Sequence, residues 1–348
     1  MTRIPQSILL PLLAIALSGC PSTTGGTGGG VGGGVGGGAG GGGGAGGGST
    51  GNGTISDLTA SATAGTTFTL PLDAALSPDG KTAYFIALSN TGEPALFKAA
   101  APSTAAPTTL HMGTPLASPF GLDVSSNGAT LVVTDTGVDD PSNDDRGVLF
   151  SAPTAGGAPT VIAGTAGYEP KGIVVVVEAT VDQIYFTGRN KADGQPGVFK
   201  IPLAGGTVTV VAKGAPFVDP SGVAVTSTGT VYVADTSGSS EGFAAIIKVT
   251  AGAATILLPD LKVGYPAGIA LSKDESTLLI SALSKTDGTD AVIRYTLATG
   301  TPDYVVAGGI DAYSESAGLK RARNVDTYIW ADSAANNGGT VYVINKQP

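Results

Sequence analysis

The sequence holds one cysteine and one histidine in 348 residues, and charged side chains make up only 13% of it. A single cysteine excludes an intrachain disulfide framework and any cysteine-based zinc site. His111 alone cannot build a multi-histidine metal centre, and it falls in a Pro- and Thr-rich stretch that reads as a linker between strands. A Ser-His-Asp triad would have to use it, and no Gly-x-Ser-x-Gly elbow is present to supply the nucleophile. Clustered Lys and Arg are missing too: the net charge is -9, and the densest basic run, Lys320-Arg321-Ala322-Arg323, is short. That excludes a nucleic-acid partner, whose phosphates require a basic face. The apolar run Ile8 to Leu17 is too short, and too interrupted by Pro11, to span a membrane. No glycine-rich segment follows a strand and opens a helix, so no phosphate loop is expected.

Glycine is what the sequence has in excess. Of 55 glycines, 21 lie between Gly25 and Gly53. That stretch has no apolar periodicity, and the backbone entropy of so much glycine opposes a fixed fold. As a flexible coil, its ~30 residues reach roughly 30 Å, the scale of a tether. No sustained Gly-X-Y period with proline occurs, which excludes collagen. Ahead of it, Arg3 and the apolar run Ile8 to Leu17 form the pattern of a secretory signal. The sequence Leu17-Ser18-Gly19-Cys20 then resembles a bacterial lipobox. The resemblance implies cleavage before Cys20, a lipidated Cys20 and stable membrane anchoring by several acyl chains. Pro21 rather than Asp follows the cysteine, which by the same resemblance favours the outer membrane over the inner. The expected organisation is a signal peptide over 1–19, a lipidated Cys20 with a disordered Gly-rich linker over 20–53, and a folded domain over 54–348.

The domain is a repeat. Its plainest copy is Pro220-Ser221-Gly222-Val223-Ala224-Val225, a short turn at Thr228-Gly229, then Val231-Tyr232-Val233-Ala234-Asp235. Val223 and Val225 alternate with small residues, as a half-buried strand requires, and Val231 to Val233 are strand-favouring types. Gly229 supplies the positive φ of a tight hairpin. Ile246 to Val249 and Ala254 to Leu258 read as two more strands. From Gly121, the equivalent glycines Gly172, Gly222, Gly268 and Gly318 follow at steps of 51, 50, 46 and 50. A period near fifty holding four short strands predicts a β-propeller blade, and six such units fill residues 54 to 348. The fold class is therefore all-β, a six-bladed propeller. Its last unit stops at Ile344 without a fourth strand. The surplus strand lies at the other end, in Thr54 to Leu70, and Thr67-Phe68-Thr69-Leu70 is expected to close the last blade.

These phrases, with Lys248-Val249, resemble NHL-repeat propellers. Pro266-Ala267-Gly268-Ile269 and Ser77-Pro78-Asp79-Gly80 are similar to the gluconolactonase and strictosidine-synthase-like propellers. The metal-dependent lactonases among them place Asn or Asp between the Pro and the Gly, aimed into the channel around a calcium-like ion. The matching residues here are Phe120, Lys171, Ser221, Ala267 and Ala317, with Leu72 in the first copy. None is a carboxylate or amide of the kind a hard cation takes.

Phe120, Lys171 and Ser221, with Asp135, Asp235 and Asp332 at the ends of second strands, are the candidate channel-mouth ligand-binding residues. An Asp followed by Thr or Ser after a strand also serves as a turn former, so those three acids admit a structural role as well. The acidic loop Asp139 to Asp145 lacks the order of a calcium-binding EF-hand loop. Glu178 and Asp182 fall in a hairpin and are expected to be solvated. Arg321 and Arg323 fall within the sixth copy's first strand and raise the question of an anion site. The leading expectation is a non-enzymatic, lipid-anchored, extracytoplasmic module that binds a protein, peptide or glycan through the long loops after the second strands. No cofactor is implied by the residues. The alternative is a lactonase-like hydrolase or lyase using the central channel, for which calcium is the possible cofactor.

Overall fold

In the computed structural model the residues described are 53–54, 58–103, 105–138, 146–239, 242–283, 290–306 and 316–345. They belong to one compact unit that begins at Thr50. Cys20, the Gly-rich stretch and the acidic loop Asp139 to Asp145 lie outside the described residues.

Two strands precede the repeat: β1 (Gly53–Thr54) and β2 (Leu58–Thr63). Blade one is β3 (Phe68–Leu76), β4 (Thr82–Ser89), β5 (Pro94–Ala100) and β6 (Thr108–Met112). Blade two is β7 (Pro119–Val124), β8 (Thr130–Asp135), β9 (Val148–Pro153) and β10 (Thr160–Val161). Blade three is β11 (Ile173–Glu178), β12 (Val181–Arg189), β13 (Pro196–Pro202) and β14 (Thr209–Lys213). Blade four is β15 (Pro220–Val225), β16 (Val231–Asp235), β17 (Ala244–Thr250) and β18 (Ala253–Leu261). Blade five is β19 (Ile269–Leu271), β20 (Thr277–Leu283), β21 (Asp290–Thr296) and β22 (Pro302–Val306). Blade six has β23 (Ser316–Arg321), β24 (Tyr328–Asp332) and β25 (Thr340–Ile344), and β2 completes it from the outside. Within each blade the successive strands pair antiparallel, while β1 adds in parallel to the outer edge of β22.

The ring closes as the strand deficit predicts, but with a different segment. Leu58 pairs with Ile344 and Thr63 with Thr340, so β2 is the closing strand. Thr67 to Leu70 instead leads into the innermost strand of blade one. Phe68 holds it there, fully buried with its ring 4.9 Å from Phe85 and 5.7 Å from Phe97 of the same blade. His111 likewise sits on β6 rather than in a linker, its Nε2 against the carbonyls of Gly113 and Thr114.

The core is divided among the joints between blades. One cluster packs Phe68, Phe85 and Phe97 of blade one against Ile329 and Val341 of blade six. Another packs Trp330 and Tyr342 against Leu279 and Val292 of blade five. The other joints repeat the arrangement with Val, Ile, Leu and Phe. Each blade is therefore hydrophobic on both faces, which suits strands rich in β-branched residues. At roughly 1.5–3 kcal/mol for each large apolar side chain buried, the joints supply most of the cohesion.

The repeated glycine has a steric cause. A Cβ on Gly172 would stand 1.6 Å from the Ser221 carbonyl oxygen of blade four, and one on Gly222 would stand 2.2 Å from that of Ala267. In blades two to six the innermost strands approach too closely for a side chain at this level. Hydroxyls of the second strands bridge the gap. Thr134 Oγ1 accepts the Gly121 N–H at 2.7 Å and donates to the Lys171 carbonyl of the next blade at 2.5 Å. Thr187 does the same from Gly172 to Ser221. In blade one Asp73 replaces the glycine; its carboxylate accepts the Leu122 N–H of blade two and the Lys320 ammonium of blade six.

Candidate functional site

The innermost strands define two ends of the molecule. At the entry end they begin, next to the loops that leave the second strands. At the hairpin end they turn back into the second strands. Between them, at the glycine level, the channel narrows to a void of about 10 Å³ beside Asp73, Gly172 and Gly222.

Phe120, Lys171 and Ser221 all sit at the entry end. Ser221 is fully buried, and its Oγ accepts the Ala267 N–H at 3.0 Å. Lys171 forms an ion pair with Asp219, whose carboxylate also accepts the Thr236 hydroxyl at 2.7 Å. Burial pushes the Asp219 carboxyl up, but the Lys171 ammonium and the Thr236 hydroxyl outweigh it and hold it below 3.8. Burial opposes the Lys171 charge as well, yet Asp219 and Tyr265 raise its pKa above 10.5. Phe120 meets the edge of Tyr265 with ring centroids 4.8 Å apart, and Lys171 Nζ stands 5.3 Å over the same ring. These three positions thus hold other residues in place, and they do not fit a calcium ion, which needs several convergent oxygens. Among the described residues no three His, Cys, Asp or Glu side chains converge to hold a metal.

Asp135, Asp235 and Asp332 are fully buried at the same end. Asp135 accepts the backbone N–H groups of Ala117, Ser118 and Gly137, and Asp235 those of Val218, Asp219 and Ser237. Asp332 accepts those of Ala334 and Ala335. Burial raises the pKa of Asp135 and of Asp235 despite these donors. Asp135 and Asp235 each stitch the loop that enters the blade to the end of its second strand, and Asp332 holds the turn that follows its own strand.

Sequence reasoning missed the residue before the proline of each phrase. Ser118, Glu169, Asp219 and Tyr265 hold this place in blades two to five and form the entry rim. Glu169 is bridged by Arg146 and Arg189, Asp219 by Lys171, while Tyr265 stays 47% exposed. Val218, beside Asp219, is 49% exposed. The spacing to the repeated glycine carried this signal, two positions upstream of the one singled out.

The hairpin end is open. All six blades line a cavity of about 320 Å³ there. Two residues beyond the glycine level stand Asp123, Val174, Ala224, Ala270 and Lys320, one from each of blades two to six, and all five line it. Val176, Val225 and Leu271 extend the apolar wall, and Arg321 and Arg323 complete the rim. Arg321 gives its guanidinium to the carbonyls of Leu271, Ala322, Arg323 and Val325. Burial pushes its pKa down. Arg323 lies just past the end of β23, not within it, and its Nη2 crosses the axis to the Val175 carbonyl at 2.7 Å. Asp123 accepts the Val124 and Val175 N–H groups at 2.8 and 2.6 Å. Burial lifts its pKa above 3.8 in spite of Lys320 and Arg323.

The hairpin acids are bound rather than solvated. Glu178 takes the Lys200 ammonium at 2.8 Å and the Tyr185 hydroxyl. Asp182 accepts the Ser126 N–H of the preceding blade at 3.0 Å, as Glu275 accepts that of Ser227 and Asp326 that of Lys273. An acid in one hairpin thus caps the turn of the blade before it.

Comparison with solved structures agrees with this geometry. A chain from a nidogen/laminin complex superposes with a TM-score of 0.56 at 18% identity, over 72% of this chain and 84% of its own. A gluconolactonase from Xanthomonas campestris gives 0.56 at 15% identity, over 82% and 88%. A protein of unknown function from Bacteroides thetaiotaomicron gives 0.51 at 14% identity, over 85% and 75%. At such identities the likeness shows the fold alone. No curated protein matches the chain significantly in sequence. The NHL-repeat family model matches residues 217–241, the stretch that enters blade four and forms its first hairpin. The chain therefore carries an NHL repeat within a six-bladed β-propeller.

Proposed function

We propose that this chain is a non-enzymatic binding module, carried outside the cytoplasm on a lipidated Cys20, that takes a protein or peptide on its entry end. One observation carries the reading. Tyr265 is exposed on the entry rim, yet its ring is held by a T-shaped contact with Phe120 and by the ammonium of Lys171. An aromatic side chain fixed before binding loses little entropy when a partner covers it, which is what a contact anchor requires. Val218, next to Asp219 at the same end, adds exposed apolar surface. Solved propellers of this fold include a chain from a two-protein complex and a gluconolactonase, so the fold accommodates both kinds of role. The donor set at the channel gives the lactonase alternative no specific support. A glycan is the other partner class such a face accommodates.

The anchoring and the binding are tested separately. Cys20→Ala should move the protein from the membrane fraction to the soluble fraction; continued sedimentation with membranes refutes lipid anchoring. Peptide and glycan arrays probed with the full chain should give ligands whose binding falls about tenfold or more in Tyr265→Ala. Ligands held equally well by that variant place the contact elsewhere.

A further inference from the structure

We propose that the cavity at the hairpin end is a binding site for a small organic carboxylate with a short branched or cyclic apolar body, its anion on Arg323 and its body against Val174, Val176, Val225 and Leu271. This site is distinct from the entry rim and does not depend on the reading given to that rim.

The argument begins with Arg323. Its side chain reaches from blade six across the axis to blade three, yet makes one hydrogen bond there, and its buried Nε has no partner among the described residues. A guanidinium carries five donors; with Nε sealed from solvent, the donors left for an acceptor are those of the two terminal nitrogens that the single hydrogen bond does not use. Arg323 also forms no ion pair among the described residues, unlike Lys320, which is held by Asp73. The acids near the cavity are engaged elsewhere. Glu178 belongs to Lys200 and Tyr185, Glu275 to the Ser227 backbone and hydroxyl, and Asp123 to two backbone N–H groups. Asp123 lies close enough for its charge to act on Arg323 but makes no ion pair with it, and a half-buried cation with no direct counter-ion is the costly arrangement that a bound anion relieves.

The walls set the rest of the ligand. Valines, leucine and alanine dominate the lining, and a volume of about 320 Å³ is at the small end of ligand pockets. Apolar walls with one convergent charged donor fit a compact apolar body bearing one anionic group. Three acids also border the cavity, which disfavours a dianion such as phosphate. Arg321 has already given its guanidinium to four carbonyls, so of the two arginines Arg323 is the ligand-facing one.

The test titrates the full chain with isovalerate and benzoate, with the matched amides isovaleramide and benzamide, and with inorganic phosphate, read by calorimetry and by thermal unfolding. Isovalerate or benzoate should bind about tenfold or more tighter than its amide and than phosphate, and Arg323→Gln should abolish that preference. Val176→Phe, which fills the cavity and keeps the Arg323 charge, should abolish binding as well and covers the case in which Arg323→Gln does not fold. The proposal is overturned by any of three results: neither carboxylate binding at roughly 10 mM, amides or phosphate binding as well as carboxylates, or binding that survives Val176→Phe.

Discussion

The two ends of this propeller use acidic residues in opposite ways. At the entry end, Asp135, Asp235 and Asp332 are fully buried; the first two hold the backbone of the loops that feed blades two and four, and Asp332 holds the turn after its own strand. At the hairpin end, Asp182, Glu275 and Asp326 lie nearer solvent, and each caps the turn of the preceding blade. The first set stabilises single blades and the second links neighbours. Between them the glycine level lets the strands pack so closely that the channel is nearly extinguished. A rim with an exposed aromatic therefore faces one way and a cavity with an unpaired guanidinium the other, and the two sites need not communicate.

The sharpest way to break this arrangement is at the glycine level. Gly172→Ala puts a Cβ against the Ser221 carbonyl, a backbone atom that cannot step aside. It should cost about 3 kcal/mol or more, seen as a lower midpoint in urea unfolding; a midpoint within error of wild type would show that the blades can separate at no cost.

The comparison between the two sets of acids comes next. Asp235→Ala strands the backbone N–H groups of Val218, Asp219 and Ser237 and should cost about 2–4 kcal/mol. Glu275→Ala removes exposed hydrogen bonds to Ser227 and should cost under about 1 kcal/mol by the same measurement. Equal losses would erase the distinction drawn between the ends.

A smaller effect is expected from pH. Asp219 has a folded pKa held below 3.8, so its stabilisation is present above that value and is lost as pH falls through the lowered pKa. Lys171 has a folded pKa held above 10.5, so its stabilisation is present below that value and is lost as pH rises through the raised pKa. The stability difference between wild type and Lys171→Met should be flat from about pH 5 to 9 and shrink beyond both limits. A difference that changes within that window would assign the titration to other groups. Against this background Asp123, raised by burial, works in the opposite sense: ionising it costs stability as pH rises through its folded pKa.

Much of the architecture was legible because its signals are local. The glycine step from Gly121 to Gly318 marks the blades, and the valines of β15 and β16 alternate as a pleated strand must. The missing fourth strand of the last unit correctly placed a closing strand near the start of the domain. Its identity was missed because Leu58–Thr63, on the outside of blade six, is built of Ala, Ser and Thr, whereas Phe68 advertises a strand more strongly from inside blade one. The entry rim was half legible. Lys171 lies where the phrase put it, but Tyr265 becomes an anchor only because Phe120, from a blade across the ring, meets its edge.

What the sequence determined by itself is the strand, the hairpin and the repeat, each set by residues a few positions apart: side-chain alternation, a glycine at φ 85 in the Thr228-Gly229 turn, and the period between copies. What only the tertiary structure decided is which charges meet. Asp73 holds Lys320 across 247 positions of chain, leaving Arg323 to reach Val175 across 148. Such contacts depend on ring closure, which brings distant segments into a low-dielectric channel where an unpaired charge carries a large energy. Neither composition nor spacing encodes which partner a cation will find there, and so the closed ring, not the repeat, defines the sites.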